Sequence, residues 1–406
     1  MNAKEARQVK RAAAAILALV MALGLTGCAS IFDKSYFSSS EYVSEPRETY
    51  ASGSVEVSSY LELTLAINNL VSEHEDSLTI HFTAYEGDMQ EDLAAACREV
   101  STDTALGAYA VDYITYDLDR IVAYYEAEVY VYYKRSAEEL DEIVSVNTAD
   151  DLYNAICGML EELDTRLVAM VGASSVDEEA VLGYVDEAYF SDPLSCVERP
   201  EATVNVYTGG GFQRIVELEL YYGATSTALT SRKGALENVI NRLAGSATSE
   251  NEAYRALQCA VALTSECDYS ENASSTLWSA LMAGESDSQG IALAYKALCD
   301  AAGIECVVVE GRFDRSEHYW NIITIDSYSY HADISRAMDF GFGSTFLVSD
   351  GQMWGSYWWD NQEYPECSGP LTYSALVSGE TAPATDTPAT EVPESAAPEA
   401  TAQASA

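Results

Sequence analysis

A constant offset between two stretches of the chain limits its fold more than any other sequence feature. The stretches align without a gap at a separation of 89 positions (152 minus 63). Tyrosine pairs at residues 132–133 and 221–222 keep the same separation. Agreement at both ends of a segment is typical of two copies of one module. The matched apolar positions are Leu63, Ala66, Ile67 and Leu78 in the first copy and Leu152, Ala155, Ile156 and Leu167 in the second.

Each copy has the same predicted order of elements. A short strand leads into a helix with apolar residues at three- and four-residue spacing, followed by an apolar strand, an acidic helix and closing strands in which apolar and polar residues alternate. Such alternation indicates a sheet with one wet face. The sequence therefore predicts two small α+β modules, at residues 51–140 and 141–230. Their tyrosines are a candidate ligand surface, although tyrosines on half-exposed strands more often pack against the sheet.

The start of the chain is typical of an exported protein. A basic segment precedes an apolar run at residues 12–25, and residues 25–28 read LTGC. This tetrapeptide resembles the lipobox of bacterial lipoproteins. The resemblance implies that residues 1–27 are a signal peptide and that Cys28 carries lipid, which anchors the chain outside the cytoplasm to the bacterial cell membrane. The alternative is an ordinary secretory signal that contains a cysteine by chance.

Charge narrows the classes of partner. The chain has 65 acidic and 21 basic residues and a formal charge of −44. Such a surface repels phosphate backbones, so no nucleic-acid partner is expected. Composition also predicts a polar linker at residues 28–50 and a disordered acidic tail, rich in Ala, Thr and Pro, at residues 376–406.

Residues 231–375 contain an ordered set of motifs. A helix predicted from Ser288 ends near Gly303 and is followed by a continuous apolar strand. The next two predicted strands contain HYWN at residues 318–321 and YHAD at residues 330–333. In this order the motifs resemble the transglutaminase-like family, a papain-like group of bacterial thiol domains. The predicted fold is therefore α+β, with two repeated modules followed by a papain-like, transglutaminase-type domain.

The resemblance covers about residues 251–373 and implies a role for each matched position. His318 takes the place of the general base, and Asp333 that of the carboxylate that orients it. The nucleophile position falls on Ser288, where the family has cysteine. The binding cleft is expected to involve Trp278, Gln289, Trp320 and Asn321.

The serine at this position decides the functional expectation. A helix N-terminus and a neighbouring imidazole can bring a thiol from its free pKa of about 8.5 into the thiolate range, whereas a serine hydroxyl is far less acidic. The family's Trp after the Asp strand is also missing, since residues 334–336 read ISR. We therefore expect a domain that has kept the fold and lost the chemistry, binds a peptide or a cell-surface protein and needs no cofactor.

Two other functions stay open. One is a Ser-His-Asp amidase or peptidase on the same frame, because an adjacent base can take the serine proton in the transition state. The other is a solute-binding lipoprotein that holds its ligand on the repeated modules.

Cysteine and histidine add no further site. Eight cysteines besides Cys28 permit disulfides, but their spacing selects no pairing. His318, His331 and Asp333 are the only grouping that suggests a metal, and no cluster with ligand spacing accompanies them, so no metal site is expected.

Overall fold

The chain has a mixed α+β fold. The computed structural model describes residues 54–121, 124–173 and 175–379. The predicted signal peptide, Cys28 and the linker lie outside these ranges. The described residues from Val55 to Gly379 belong to one compact unit. None of the helices in the described part combines the length and the apolar character that crossing a membrane requires.

Strands and helices are interspersed along the described part of the chain. The strands are β1 Ser54–Val57, β2 Ser77–Phe82, β3 Val111–Ile121, β4 Tyr124–Tyr133, β5 Val144–Val146, β6 Arg166–Val171, β7 Glu201–Thr208, β8 Arg214–Tyr221, β9 Asp268–Tyr269, β10 Glu285–Ser286, β11 Glu305–Phe313, β12 Ser316–Ile325, β13 Tyr328–Ala332, β14 Phe346–Val348 and β15 Tyr357–Trp358. The helices are α1 Tyr60–Ser72, α2 Met89–Thr102, α3 Ala105–Ala110, α4 Ala137–Asp141, α5 Ala149–Glu162, α6 Glu178–Ser191, α7 Pro193–Cys196, α8 Ser226–Ala244, α9 Glu252–Thr264, α10 Ser288–Ala301, α11 Ile334–Phe340, α12 Asp350–Met353 and α13 Tyr373–Ser378, with a π turn at Ser279–Ala283 and a 3-10 turn at Phe342–Ser344.

The first two sheets have the same strand order. They run β1-β2-β4-β3 and β5-β6-β8-β7, so that in each sheet the fourth strand along the chain lies between the second and the third. The leading helices α1 and α5 begin at Ser59 and Thr148, whose hydroxyls cap the first turn. On each helix an apolar face is buried, through Leu63 on α1 and Leu152 on α5.

The second sheet shares its core with the C-terminal part of the chain. The first sheet has a separate apolar cluster around Ile67 and Val129. The cluster of the second sheet continues through Leu236 of α8 to Tyr295 of α10. Helix α8 begins at Ser226, before the predicted boundary between residues 230 and 231. The second sheet and the candidate site are therefore held in one packed body.

A buried ion network joins the first two sheets. The Glu217 carboxylate on β8 accepts hydrogen bonds from Arg135 at 2.8 and 3.0 Å, from Arg166 at 3.0 Å and from the Tyr207 hydroxyl at 2.9 Å. The guanidinium groups of Arg135 and Arg166 compensate the charge of the buried Glu217 carboxylate. Removal of the carboxylate would leave the two guanidinium groups without their shared partner.

The third sheet positions the candidate site. Its order is β14-β13-β12-β11-β15, and every neighbouring pair is antiparallel. Helix α10 packs on one face, where Asn321 Nδ2 donates to the Ala292 carbonyl oxygen at 3.0 Å. The other face carries a separate apolar cluster around Trp320. The helix ends at Ala301, and Gly303 follows with a φ of 69°, which favours glycine.

The C-terminal helix and the cysteines bear on two expectations from the sequence. Helix α13 extends to Ser378 and buries Leu376, so the disordered tail predicted from residue 376 is wrong for its first residues. All eight cysteines of the described part are free thiols.

Candidate active site

Ser288 lies at the entrance of α10, held by a local cap. The Asp287 side chain caps the helix by accepting the Gly290 amide at 3.0 Å. A Cβ on Gly290 would lie 2.0 Å from Ser286 Oγ and 2.8 Å from the Thr276 carbonyl oxygen. Only glycine therefore fits at position 290, where Ser286 and Thr276 lie against the first turn of the helix. Ser288 itself is 7% exposed.

His318 lies on the part of β12 that extends beyond the end of β13. Strand β13 pairs with β12 only over residues 321–325, which leaves the β12 edge open at His318. His318 Nε2 and Asp333 Oδ2 are 2.7 Å apart, and both residues are buried. The rings of Phe313 and Tyr357 lie 5.6 and 6.0 Å from the imidazole. The ring is thus fixed by one hydrogen bond and by aromatic packing.

Asp333 accepts four hydrogen bonds. It caps α11 by accepting the Arg336 amide at 2.9 Å, and it accepts Ser335 Oγ at 2.7 Å on the same oxygen. Its other oxygen accepts the Tyr357 hydroxyl at 2.9 Å besides His318. Burial, with the Asp333 charge, raises the pKa of Tyr357, so this hydroxyl stays a donor.

These contacts set the tautomer of His318. Because Asp333 is an acceptor, the imidazole proton lies on Nε2 and the lone pair lies on Nδ1. That is the arrangement a general base needs. The resemblance to thiol domains implied this His–Asp partnership, and the structure places the two groups in contact.

Ser288 is not joined to this pair. Its Oγ accepts the backbone N–H of Tyr319 at 3.2 Å, on the open edge of β12. No hydrogen bond links Ser288 to His318 among the residues that the structure describes. The hydroxyl is therefore used to satisfy a strand-edge amide next to the base, and its proton is not held by the base.

The predicted cleft residues have different surroundings. Trp320 and Asn321 are buried, and the Trp320 indole donates to His331 Nδ1 at 2.9 Å, so both support the sheet, which differs from the predicted ligand-contact role. Trp278 is half-buried, with the Arg232 guanidinium 5.6 Å from its ring centre. Gln289 lines an open cavity of about 560 Å³ beside the second sheet. Of the four, Gln289 is the residue that the structure places at a cavity.

A second polar cluster lies behind the site and was missed by sequence analysis. His331, Asp350 and Cys367 have their candidate ligand atoms within 4.8 Å of one another. His331 Nε2 and Asp350 Oδ1 are 2.9 Å apart. The three residues are widely separated in the chain and belong to no ligand-spacing motif, so no local signal could have found them.

The donor set of this cluster does not fit a metal. His331 Nδ1 accepts the Trp320 indole proton, so Nε2 carries the ring proton and donates it to Asp350. A metal on Nε2 would need a hydrogen-bond acceptor behind the ring in place of a donor. Burial raises the pKa of Cys367 and keeps it a thiol, and burial lowers the pKa of His331 and keeps it neutral. The cluster is a hydrogen-bonded support for Trp320.

Comparison with known proteins gives weak similarity. No protein-family model and no curated protein matches the chain. It is similar to a solved structure described as a TGase, with 11% identity and a TM-score of 0.24 over 51% of this chain and 60% of that one. It is also similar to a "putative protease" from Parabacteroides distasonis, with 11% identity and a TM-score of 0.19 over 54% of this chain and 52% of that one. The chain thus spans less than two thirds of either structure, and neither similarity assigns an activity.

Proposed function

We propose that this chain is an extracytoplasmic, lipid-anchored binding protein whose C-terminal part is a non-catalytic transglutaminase-like domain. One observation carries the proposal. The Ser288 hydroxyl stands at the inherited nucleophile position, yet it accepts the Tyr319 amide and makes no hydrogen bond to His318 in the described structure.

The chemistry of serine explains why this contact matters. A serine nucleophile works when an adjacent base holds its proton, with the two side chains within about 3.2 Å. His318 keeps a lone pair on Nδ1, but no hydrogen bond in the described structure joins it to the Ser288 hydroxyl, whose oxygen accepts the Tyr319 amide. A thiol can react as a preformed thiolate, whereas serine depends fully on this contact. The frame therefore favours recognition over turnover.

The surface around the site supports a binding role. Trp354 and Trp358 are 71% and 70% exposed, and Trp358 pairs with Arg312 at the end of β11. Large exposed aromatic side chains are enriched where proteins bind partners. A peptide or a cell-surface protein is the partner class that such a surface favours.

The remaining parts of the proposal come from the sequence. The leader and Cys28 support anchoring through lipid, and the acidic composition suits a solvated exported chain. We further propose that the first two sheets are copies of one module, a proposal that their common strand order supports. They would hold the C-terminal domain away from the membrane.

Turnover assays test the non-catalytic proposal. Wild-type protein and Ser288→Ala are incubated with a glutamine-containing peptide and a fluorescent primary amine, and both hydrolysis and amine incorporation are measured. We expect no turnover from either protein. Turnover by the wild type that Ser288→Ala abolishes would establish the Ser-His-Asp hydrolase instead. Activity of Ser288→Cys that is lost in Ser288→Cys/His318→Ala would indicate an intact frame lacking its nucleophile.

Anchoring is tested separately in cells. Fatty-acid labelling and detergent phase partitioning compare the wild type with Cys28→Ala. Label on the wild type and none on the variant is the expected result, whereas an unlabelled, soluble wild type would indicate simple secretion.

A second candidate function has one supporting observation. The cavity beside Gln289 is lined in part by Glu198 and Tyr222. Glu198 Oε1 and the Tyr222 hydroxyl are buried without a hydrogen-bond partner in the described part of the chain. Unsatisfied buried polar atoms beside a cavity are suited to a small polar ligand. Thermal shift against cell-wall fragments and metabolites tests this function, since a hit that Tyr222→Phe weakens would favour solute binding.

A further inference from the structure

One edge of the third sheet is open. Strand β11 pairs with β12 along its whole length, but β15 pairs only with Arg312 and Phe313. No strand within the described ranges pairs with the outer edge of β11 over residues 305–311. An open edge presents a row of backbone donors and acceptors that another extended chain can use.

The register of this edge follows from one contact. The Glu310 amide donates to the Tyr364 hydroxyl at 3.2 Å, so the backbone groups of Glu310 point away from β12. Because directions alternate along an antiparallel strand, the N–H and C=O groups of Val308 and Cys306 point the same way. No hydrogen bond engages the outward amides of these two residues among the described residues. Cys306 and Val308 are only 4% and 7% exposed and both line the groove described next, so their outward groups form a short template for one more strand that is reached through that groove.

A groove runs along this edge. Its volume is about 790 Å³, and β11 forms one wall, α6 the opposite wall, and residues 363–365 one end. Gly183 on α6 faces open space, since a Cβ there would have no atom within 4 Å. Phe190 of α6 stacks on Tyr319 with ring centres 5.9 Å apart, which holds this wall against the sheet. The groove is thus built by packed elements and has room for an extended chain.

The groove carries mainly negative charge. Glu187, Glu310 and Glu363 line it. Its cation, Lys296, is held by Asp300 at 2.6 and 2.7 Å. Asp186 is likewise held by Arg199. Burial, together with neighbouring carboxylates, raises the pKa of Glu310, and a cation at this place would relieve that cost.

We propose that this groove binds an extended, lysine- or arginine-containing peptide segment that adds to the β11 edge as a further strand. Backbone groups of Cys306 and Val308 would supply the ladder, and Glu187, Glu310 and Glu363 would receive the basic side chains. This inference deepens the proposed binding function by assigning its site and its class of partner.

The C-terminal segment of the chain fits this groove poorly. Residues 381–406 contain four acidic residues and neither lysine nor arginine, so like charges oppose their entry. Prolines at positions 383, 388, 393 and 398 remove ladder donors at regular intervals. Charge and backbone chemistry therefore favour a separate basic peptide over this C-terminal segment as the occupant.

The test uses fluorescence anisotropy with the full ectodomain. The probe is a labelled peptide of alternating lysine and valine, compared with a glutamate-valine peptide and with a lysine-valine peptide N-methylated at alternate residues. Gly183→Phe fills the groove. Gly158→Phe is the matched control, because Gly158 is also a helical glycine whose Cβ would meet no atom within 4 Å, and it lies on α5 outside the groove.

We expect the basic peptide to bind the wild type and Gly158→Phe with equal affinity. Its affinity for Gly183→Phe should be lower by about tenfold or more. N-methylation should weaken binding by about tenfold, and added salt should weaken it further. Glu310→Gln should lower the affinity in the same direction.

Several results would overturn the inference. They are no binding of the basic peptide, equal binding of the glutamate peptide, equal binding of the N-methylated peptide, or unchanged affinity of Gly183→Phe. None of these bears on turnover, so a wrong groove assignment and a wrong non-catalytic assignment are told apart by the separate Ser288→Ala assay.

Discussion

Replacing Ser288 by alanine distinguishes a structural hydroxyl from a catalytic one. In the structure, Oγ is the acceptor for the Tyr319 amide, and both residues are buried. Alanine removes the acceptor and leaves a buried N–H without a partner, because β13 does not reach this part of β12. An unsatisfied buried donor costs about 1–3 kcal/mol, so we expect the free energy of unfolding to fall by about that amount.

Whether the free energy of unfolding falls or rises in Ser288→Ala indicates whether the hydroxyl stabilises the fold. Active sites are commonly strained or desolvated for the sake of activity, so removing a catalytic side chain tends to leave stability unchanged or raise it. A hydroxyl retained for its hydrogen bond behaves in the opposite way. Ser288→Ala is therefore expected to be less stable than the wild type if the hydroxyl contributes this hydrogen bond to the fold.

Urea unfolding followed by tryptophan fluorescence measures this difference. The midpoint should fall while the denaturant slope stays constant. Ser72→Ala is the control, because Ser72 donates to Asn69 from an exposed position at the end of α1 and its loss should change stability by no more than about 0.5 kcal/mol. A Ser288→Ala protein as stable as the wild type, or more stable, would refute the structural role of the hydroxyl.

Three further predictions concern the surroundings of the site. Tyr357→Phe removes one of four donors to Asp333 and should cost about 1–2 kcal/mol in urea unfolding, whereas Asp333→Ala leaves several donors unpaired and should cost more. Because burial lowers the pKa of His331 below its usual 6.5, the unfolded chain binds the proton more tightly; stability should fall as pH drops below about 6.5, and His331→Gln should flatten that dependence. Burial raises the pKa of Cys97 to about 12, so at pH 7.5 a thiol reagent should leave it unmodified in the native protein and react first at the half-buried Cys157.

The parts of the site that lie in local motifs could be predicted. Helix α10 starts and stops where Ser288 and Gly303 indicate, because caps and apolar periodicity act within a few residues. The partnership of His318 with Asp333 was implied by the resemblance to thiol domains, and the structure places the two side chains in contact at 2.7 Å. The need for glycine at position 290 comes from the close approach of Thr276 to the helix, a contact between separate segments that the structure shows.

The remaining parts depend on contacts between distant segments. Tyr357 reaches Asp333 from β15, and no spacing in the sequence relates the two. Cys367 joins His331 and Asp350 only because the segment after α12 folds back over the sheet. The contact of Ser335 with Asp333 had a weak sequence signal. Asp333 is a typical helix N-cap, and a serine two residues after the cap can donate to the capping carboxylate. Sequence periodicity reports which face is buried but not which distant side chain completes a polar cluster.

If the C-terminal part is the transglutaminase-like domain proposed above, the position of Ser288 explains how its geometry persists with an oxygen at the nucleophile position. A hydroxyl is a far better acceptor for a backbone amide than a thioether or thiol sulfur. At the open edge of β12, the Ser288 hydroxyl therefore satisfies the Tyr319 amide better than a thiol at the same position would. The His318–Asp333 pair need not change, because Tyr357, Ser335 and the α11 cap hold the carboxylate independently of the nucleophile. The proposed loss of the reaction is thus compatible with retention of the surrounding geometry.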